Sequence, residues 1–97
     1  MSVDLHNGIG HRSVAYRHWS QLLTAARDCG WEPQGAVFRD DGSRGDYFSN
    51  REQIIEAPDA RNIADALVRS VPEWPGEAQP WVRGMVRFLR GGEIVLY

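Results

Sequence analysis

Four tryptophans in a chain of 97 residues constrain the fold more than any other feature of this sequence. They lie at the ends of segments with helical spacing, and each indole can bury on the order of 200 Å². A chain of this length buries roughly 60–65% of the surface that its unfolded form exposes, and folds as one domain. We therefore expect a single domain over residues 1–97, with a core built around Trp19, Trp31, Trp74 and Trp81.

Three segments place apolar residues at the spacing of an amphipathic helix. The first is predicted to run from an N-cap at Ser13 to about Cys29, and the second from Pro58 to the residue before Pro72. The third starts near Glu77 and ends at the glycine pair 91–92. The predicted buried faces are Trp19, Leu22, Leu23 and Ala26, then Ala60, Ile63, Ala64, Leu67, Val68 and Val71, then Trp81, Val82, Met85, Phe88 and Leu89.

The remaining apolar pieces are short and predict strands. Residues 2–12 alternate in polarity around Asn7-Gly8, a dipeptide suited to a two-residue hairpin turn. A second hairpin is predicted from residues 47–49 and 53–56 around Asn50-Arg51, and residues 93–97 predict a final strand. The sequence thus favours an α+β fold, with three helices packed on one face of an antiparallel sheet of about four to five strands.

Composition excludes several classes of function. Eleven basic and thirteen acidic residues give a net charge of −2, which disfavours nucleic acid as a partner because such binding needs clustered positive charge. The single cysteine excludes an internal disulfide. No apolar run is long enough to cross a membrane, and the first residues lack the pattern of a signal peptide. We expect a cytoplasmic protein without a membrane contact.

Asp4, His6 and His11 are the candidates for chemistry. If residues 7–8 form the hairpin turn, His6 lies opposite Ile9 and Asp4 lies opposite His11, so the three share one face of the hairpin. One Asp and two His could hold a metal ion or form an acid/base pair. The alternative is that the opposite, apolar face meets the core and leaves them in solvent, which we favour because no helical metal-ligand spacing supports the site. We predict no metal site, no cofactor and no enzyme.

Arg83, Arg87 and Arg90 follow one another at helical spacing and predict a basic stripe on the third helix. This stripe could bind phosphates or an acidic partner, or it could be a solvated face that offsets the helix dipole. We favour the solvated face over nucleic acid, and keep Arg83 and Arg87 as candidate contacts to a partner protein.

Trp31 and Trp74 are the other candidate partner contacts. Trp74 lies in a Pro-Glu-Trp-Pro-Gly linker, outside any periodic face, and Trp31 follows a glycine. Either they close the core, or they stand exposed as anchors for a partner. The final strand, if it has an exposed edge, could also pair two copies of the chain into a homodimer.

Core and turn residues of this chain form several short strings: Trp19-x-x-Leu22-Leu23, Gly30-Trp31-Glu32-Pro33, Tyr47-x-x-Asn50, Asp59-Ala60 with Ile63-Ala64-x-Ala66-Leu67, and Gly91-Gly92-x-Ile94. Together these strings resemble those of small, uncharacterised bacterial proteins. The resemblance implies a bacterial origin and a shared α+β fold, and it implies no activity. The chain differs from that pattern at Arg51-Glu52, where an Asp-Gly turn is usual.

The functional hypothesis from sequence is a small protein-binding module, such as an accessory, immunity or anti-defence protein that blocks a partner. A small metal-dependent or acid/base enzyme using Asp4, His6 and His11 is the alternative. A protein-binding module requires an accessible anchoring surface. An enzyme requires polar side chains that converge on one site.

Overall fold

The computed structural model describes residues 1–48 and 51–97, and this part of the chain folds into three α-helices and one six-stranded sheet. The predicted α+β class is confirmed, with more strands than expected. Two short 3-10 turns, Val71–Glu73 and Gly76–Ala78, connect the second and third helices. The elements are β1 (Ser2–His6), β2 (His11–Ala15), α1 (Tyr16–Asp28), β3 (Ala36–Phe38), β4 (Arg44–Gly45), β5 (Gln53–Ile55), α2 (Ala57–Ser70), α3 (Gln79–Leu89) and β6 (Ile94–Leu96).

The last strand lies in the middle of the sheet. The strand order is β2-β1-β6-β5-β3-β4, and every neighbouring pair is antiparallel. Leu96 lies opposite Leu5 on one side and opposite Gln53 on the other. The predicted exposed edge at the final strand, and a homodimer formed through it, are therefore wrong, because both sides of β6 pair within the chain. An uninterrupted apolar run such as Ile94–Leu96 is typical of an interior strand.

The first hairpin forms, but its turn has four residues instead of two. The Asn7 side chain controls this turn, because its Oδ1 accepts hydrogen bonds from the backbone N–H of Ile9 at 3.1 Å and of Gly10 at 2.8 Å. Its Nδ2 donates to the carbonyl of Phe88 at 3.0 Å, which ties the turn to the end of α3. The local turn preference of Asn-Gly could not predict this hydrogen bond, because its acceptor lies far away in the sequence.

The longer turn changes the register of the hairpin. His6 lies opposite His11, and Asp4 lies opposite Ser13. The predicted pairings of His6 with Ile9 and of Asp4 with His11 are wrong. Ser13 is also not the N-cap of the first helix, because it belongs to β2.

Helix α1 begins two residues later than its sequence pattern suggested, because Ala15 and not Ser13 occupies the N-cap position. Its first backbone N–H, from Tyr16, donates to the carbonyl of Met1 at 3.0 Å, so the residue just before β1 takes the place of a side-chain cap. At the other end Gly30 adopts a φ of 103°, and the N–H of Trp31 donates to the carbonyl of Ala26 at 2.9 Å. This left-handed glycine and its 6→1 hydrogen bond confirm the predicted C-terminal stop. The predicted buried face, Trp19, Leu22, Leu23 and Ala26, is confirmed.

Helices α2 and α3 pack against each other and bury most of the predicted residues. Two predictions are wrong, because Val68 is 45% exposed and Trp81 is 39% exposed. Each residue of a helix is rotated by about 100° from the previous one. Val68 and Trp81 therefore lie at the edge of the apolar stripe of their helix and not at its centre. The confirmed core positions are Ala60, Ile63, Ala64, Leu67 and Val71, together with Val82, Met85, Phe88 and Leu89.

The second predicted hairpin is replaced by a different pairing. β5 pairs with β3, with Val37 opposite Ile54, and not with Tyr47 or Phe48. Tyr47 has a φ of 73°, which is incompatible with a strand. The other residues of that prediction, Ser49 and Asn50, lie outside the described part of the chain.

The helices cover one face of the sheet and leave the other open. Along β1, Val3 and Leu5 are buried while the alternating residues are not, and β5 and β6 repeat this pattern. The buried apolar side chains form one cluster between sheet and helices. The molecule therefore has two accessible regions of different character, the open sheet face and the outer surface of the helical layer.

Candidate functional site

A large concave surface lies between the outer side of α1 and the linker that joins α2 to α3. It encloses about 740 Å³ and is open to solvent. Volumes of this size are usual for sites that hold a ligand or a partner's side chain. We call it the aromatic groove, because its walls include His18 from α1, Trp74 from the linker and Trp81 from α3.

Trp74 is held in a fixed position at the base of this groove. Pro72 and Pro75 prevent a continuous helix, so the backbone of Trp74 is extended, with a φ of −86° and a ψ of 149°. Its Nε1 donates to Ser70 Oγ at 2.9 Å, and its carbonyl accepts from Gln79 Nε2 at 3.0 Å. The indole is half-buried against the core, with its only polar atom already engaged.

Trp81 completes the aromatic surface. Its ring centroid is 6.5 Å from that of Trp74 at an angle of 69° between planes, and 5.9 Å from that of His18 at 65°. These are edge-to-face arrangements, which aromatic rings prefer over flat stacking. Three inclined rings thus follow one another from α1 to the linker, and the Trp81 indole remains accessible.

The groove is negatively charged at its margin. Asp28, at the end of α1, and Glu73, in the linker, both line it. No arginine is found among the described residues of the lining, and neither carboxylate has an ion pair within residues 1–48 and 51–97. The site therefore combines apolar aromatic surface with two free carboxylates.

Trp31, a predicted partner contact, does not belong to this groove. It is only 4% exposed, so the prediction that it anchors a partner is wrong. Because Gly30 turns the chain back towards α2, the Trp31 indole reaches the first turn of that helix, where its Nε1 donates to Asp59 Oδ1 at 2.9 Å. An N–H that finds a buried carboxylate makes a strong hydrogen bond and stabilises the interior position of the ring.

Asp59 is the centre of a buried polar network that sequence reasoning missed. Its second oxygen accepts from the Tyr47 hydroxyl at 2.6 Å, and that hydroxyl accepts from the Gly35 N–H at 2.9 Å. Burial, and then the adjacent carboxylate, raise the pKa of Tyr47 well above its usual range. In the sequence, an acidic residue in the first turn of a helix is explained by the helix dipole alone, so Asp59 gives no local sign of a buried network. The network closes off this part of the core, so we assign it a structural role.

The predicted cluster on the hairpin is formed, although in another register. Asp4, His6 and His11 share the open face of the sheet, with His11 Nε2 at 3.4 Å from Asp4 Oδ1. The His6 ring lies 4.4 Å from that of His11 and 5.2 Å from that of Tyr97, between ring centroids. Across residues 1–48 and 51–97, no three His, Cys, Asp or Glu side chains are arranged to hold one metal ion. An acid/base role for Asp4, His6 and His11 stays a prediction.

The arginine stripe is present on α3. Arg83, Arg87 and Arg90 are exposed, and Arg90 donates to Asp65 Oδ1 at 2.9 Å. All three line a shallow depression of about 350 Å³ whose other residues include Val68. Within the described ranges Arg83 and Arg87 have no ion pair. They are accessible, as their candidate role requires, and they lie outside the aromatic groove.

Comparison with protein-family models, with curated proteins and with solved structures finds no match for this chain. Within the part of the chain that the structure describes, no helix has both the length and the apolar character to cross a membrane. The aromatic groove is the feature with the most defined geometry, and a function is best inferred from it.

Proposed function

We propose that this protein is a binding module that holds a segment of another protein in the aromatic groove. One observation carries the proposal, namely that Trp81 is 39% exposed beside the half-buried Trp74 in a groove of about 740 Å³. Tryptophan is enriched among the residues that dominate the energy of protein interfaces, where it fills pockets near the centre. A groove that already contains two indoles needs only a complementary side chain to form such a centre.

The energy available at Trp81 supports this proposal. Covering the exposed part of its side chain would remove roughly 60–100 Å² of mostly apolar surface from water. At about 25 cal/mol per Å² this contributes about 2 kcal/mol to binding. Because Ser70 and Gln79 hold Trp74, little additional ordering of the groove is needed when a partner binds.

The proposed mode of action is occupation of a partner's surface, as in accessory, immunity or anti-defence proteins of the bacterial cytoplasm. The size of the chain fits this mode, since a standard interface uses about 800 Å² per partner and this protein has 5413 Å² of accessible surface. We propose a protein partner and not a nucleic acid, because the carboxylates of Asp28 and Glu73 at the groove would repel phosphates.

The proposal is tested by capture with matched variants. Wild type, Trp81→Ala and Tyr97→Ala are immobilised and exposed to lysate from the source cells with a cross-linker. Tyr97 is a suitable control because it is 44% exposed and lies outside the groove. We expect at least one protein that wild type and Tyr97→Ala retain and that Trp81→Ala loses. Identical recovery by all three would contradict a docking role for the groove.

A further inference from the structure

The arrangement of the aromatic rings limits what kind of group can occupy the groove. The Trp81 ring is inclined by 69° to that of Trp74 and by 65° to that of His18, with centroid distances of 6.5 and 5.9 Å. Rings inclined in this way form the walls of a corner, so one group can contact more than one of them. The negatively charged face of an indole attracts a cation that lies within about 6 Å of the ring centre.

The hydrogen bonds of Trp74 favour the same kind of ligand. Its Nε1–H donates to Ser70 Oγ at 2.9 Å, and Ser70 in turn donates to the carbonyl of Leu67 at 2.7 Å. The indole therefore has no free donor for an anion or a carbonyl group of a ligand. What Trp74 can offer is its ring surface.

The charges around the groove also favour a cationic ligand. Asp28 approaches from the end of α1 and Glu73 from the linker, and both lack an ion pair among the described residues. Arg39, Arg44 and Arg51 form ion pairs with other carboxylates, those of Glu52, Glu56 and Asp40, which do not line the groove. Aromatic surface next to two free carboxylates is complementary to a positively charged group and unfavourable for a negative one.

We infer that the aromatic groove binds a cationic side chain, an arginine or a lysine, presented by the partner protein. This inference rests on the proposed function, to which it adds the chemistry of the group that is recognised. We place the cation on a side chain of the partner protein, because a groove of about 740 Å³ is far larger than a free ammonium or guanidinium group would fill. The aliphatic stem of the side chain would cover the indoles while its charged end faces Asp28 or Glu73.

The test uses the four indole N–H signals in ¹⁵N-correlated NMR spectra, titrated with small probes. The probes are N-acetyl-arginine amide, N-acetyl-lysine amide, their neutral analogue N-acetyl-norleucine amide, and tetramethylammonium. We expect saturable shifts of the Trp74 and Trp81 signals with the arginine and lysine probes and not with norleucine. The Trp19 and Trp31 signals are internal controls, because these indoles are buried and bonded to the Tyr47 carbonyl and to Asp59.

Matched variants identify the groups responsible. Glu73→Gln and Asp28→Asn should each weaken arginine binding about two- to fivefold, the range expected for an exposed charge pair. Trp81→Leu should weaken it to a similar extent by removing one ring face. Glu93→Gln is the control, since it removes an exposed carboxylate that does not line the groove.

The other possible results of the titration would overturn the inference that the groove binds a cationic side chain. Equal shifts with norleucine would overturn the cationic inference and leave the protein-binding proposal intact with an apolar anchor. Binding of tetramethylammonium without arginine or lysine would assign the groove to a free quaternary amine and overturn the inference. Absence of shifts with every probe would also overturn it, while the capture experiment decides separately on the proposed function.

Discussion

Asp59 shows how one buried carboxylate can join three parts of this chain. It lies in the first turn of α2, is 1% exposed, and accepts hydrogen bonds from Trp31, which follows α1, and from Tyr47, which follows β4. Burying a charge is costly unless it is hydrogen-bonded, and here both oxygens have a donor. This arrangement explains why Trp31 lies in the core instead of on the surface.

Replacing Asp59 should therefore destabilise the protein. In Asp59→Ala, the Trp31 N–H and the Tyr47 hydroxyl proton lose their acceptors inside the core, and we expect a loss of about 2–4 kcal/mol in the free energy of unfolding. Urea denaturation measures it. Asp65→Ala is the control, because its ion pair with Arg90 is about half exposed and should contribute less than about 1 kcal/mol. Equal losses in both variants would contradict the network's role.

Tyr47 should make stability depend on alkaline pH. Burial and the neighbouring Asp59 raise the pKa of its hydroxyl in the folded protein above the value of about 10 that it has when unfolded. The folded state then keeps a proton that the unfolded chain releases, so the free energy of unfolding falls as pH rises above about 10. Urea denaturation at a series of pH values should show this fall in wild type and in Tyr97→Phe. In Tyr47→Phe the fall should be smaller, and an unchanged slope would count against this assignment.

At the scale of elements, periodicity identified the helices, while the strand pairings beyond the first hairpin could not be predicted. The spacing of Leu22, Leu23 and Ala26 determines a face of a helix locally, and the structure confirms it. A strand of three residues, such as Ile94–Leu96, contains no information about which strands lie beside it. The hydrogen bond from Asn7 to Phe88, which links the first turn to α3, is likewise invisible in local sequence.

The candidate site was predictable only in part, for the same reason. The Pro-Glu-Trp-Pro-Gly linker indicated Trp74 as a candidate partner contact, and that residue does line the groove. Its neighbours His18 and Trp81 come from α1 and α3, and their proximity depends on how these helices pack. Trp31 was misassigned because its exposure depends on Asp59, which is 28 residues away in sequence.

The position of β6 leads to a prediction about truncation. Removing residues 94–97 would delete the buried side chains of Ile94 and Leu96 and leave β1 and β5 without a shared neighbour. We expect loss of the cooperative thermal transition and of NMR signal dispersion, because the sheet would divide into two parts. Tyr97→Ala keeps all of β6 and should remain folded. A truncated chain with native-like dispersion would show that β6 is dispensable.

Considered as a whole, the molecule separates its charges between different surfaces. The acidic aromatic groove lies along α1 and the linker, while the arginine stripe lies on α3 beside Val68. With a net charge of −2, the stripe is a local feature and the overall field is weakly negative. Steering of a large polyanion towards the protein is therefore unfavourable.

This charge distribution predicts that the protein does not bind nucleic acid appreciably at physiological ionic strength. Fluorescence anisotropy with labelled single-stranded and duplex oligonucleotides should show no saturable binding at about 0.15 M salt. The variant Arg83→Ser/Arg87→Ser should behave as wild type does. Binding that weakens steeply with added salt, with a slope reduced by about one unit for each lost arginine, would contradict the prediction.

The central place of β6 also has a kinetic consequence. In the described part of the chain, the C-terminal segment 94–97 joins the N-terminal hairpin to the β3–β5 part of the sheet. Leu5 therefore pairs with Leu96 across nearly the whole chain. Contacts between residues so distant in sequence require the closure of a large loop before any pairing energy is gained, which slows folding. We expect the helices and the first hairpin to form early. The pairing of β6 with both β1 and β5 should then be the step that limits the rate of folding.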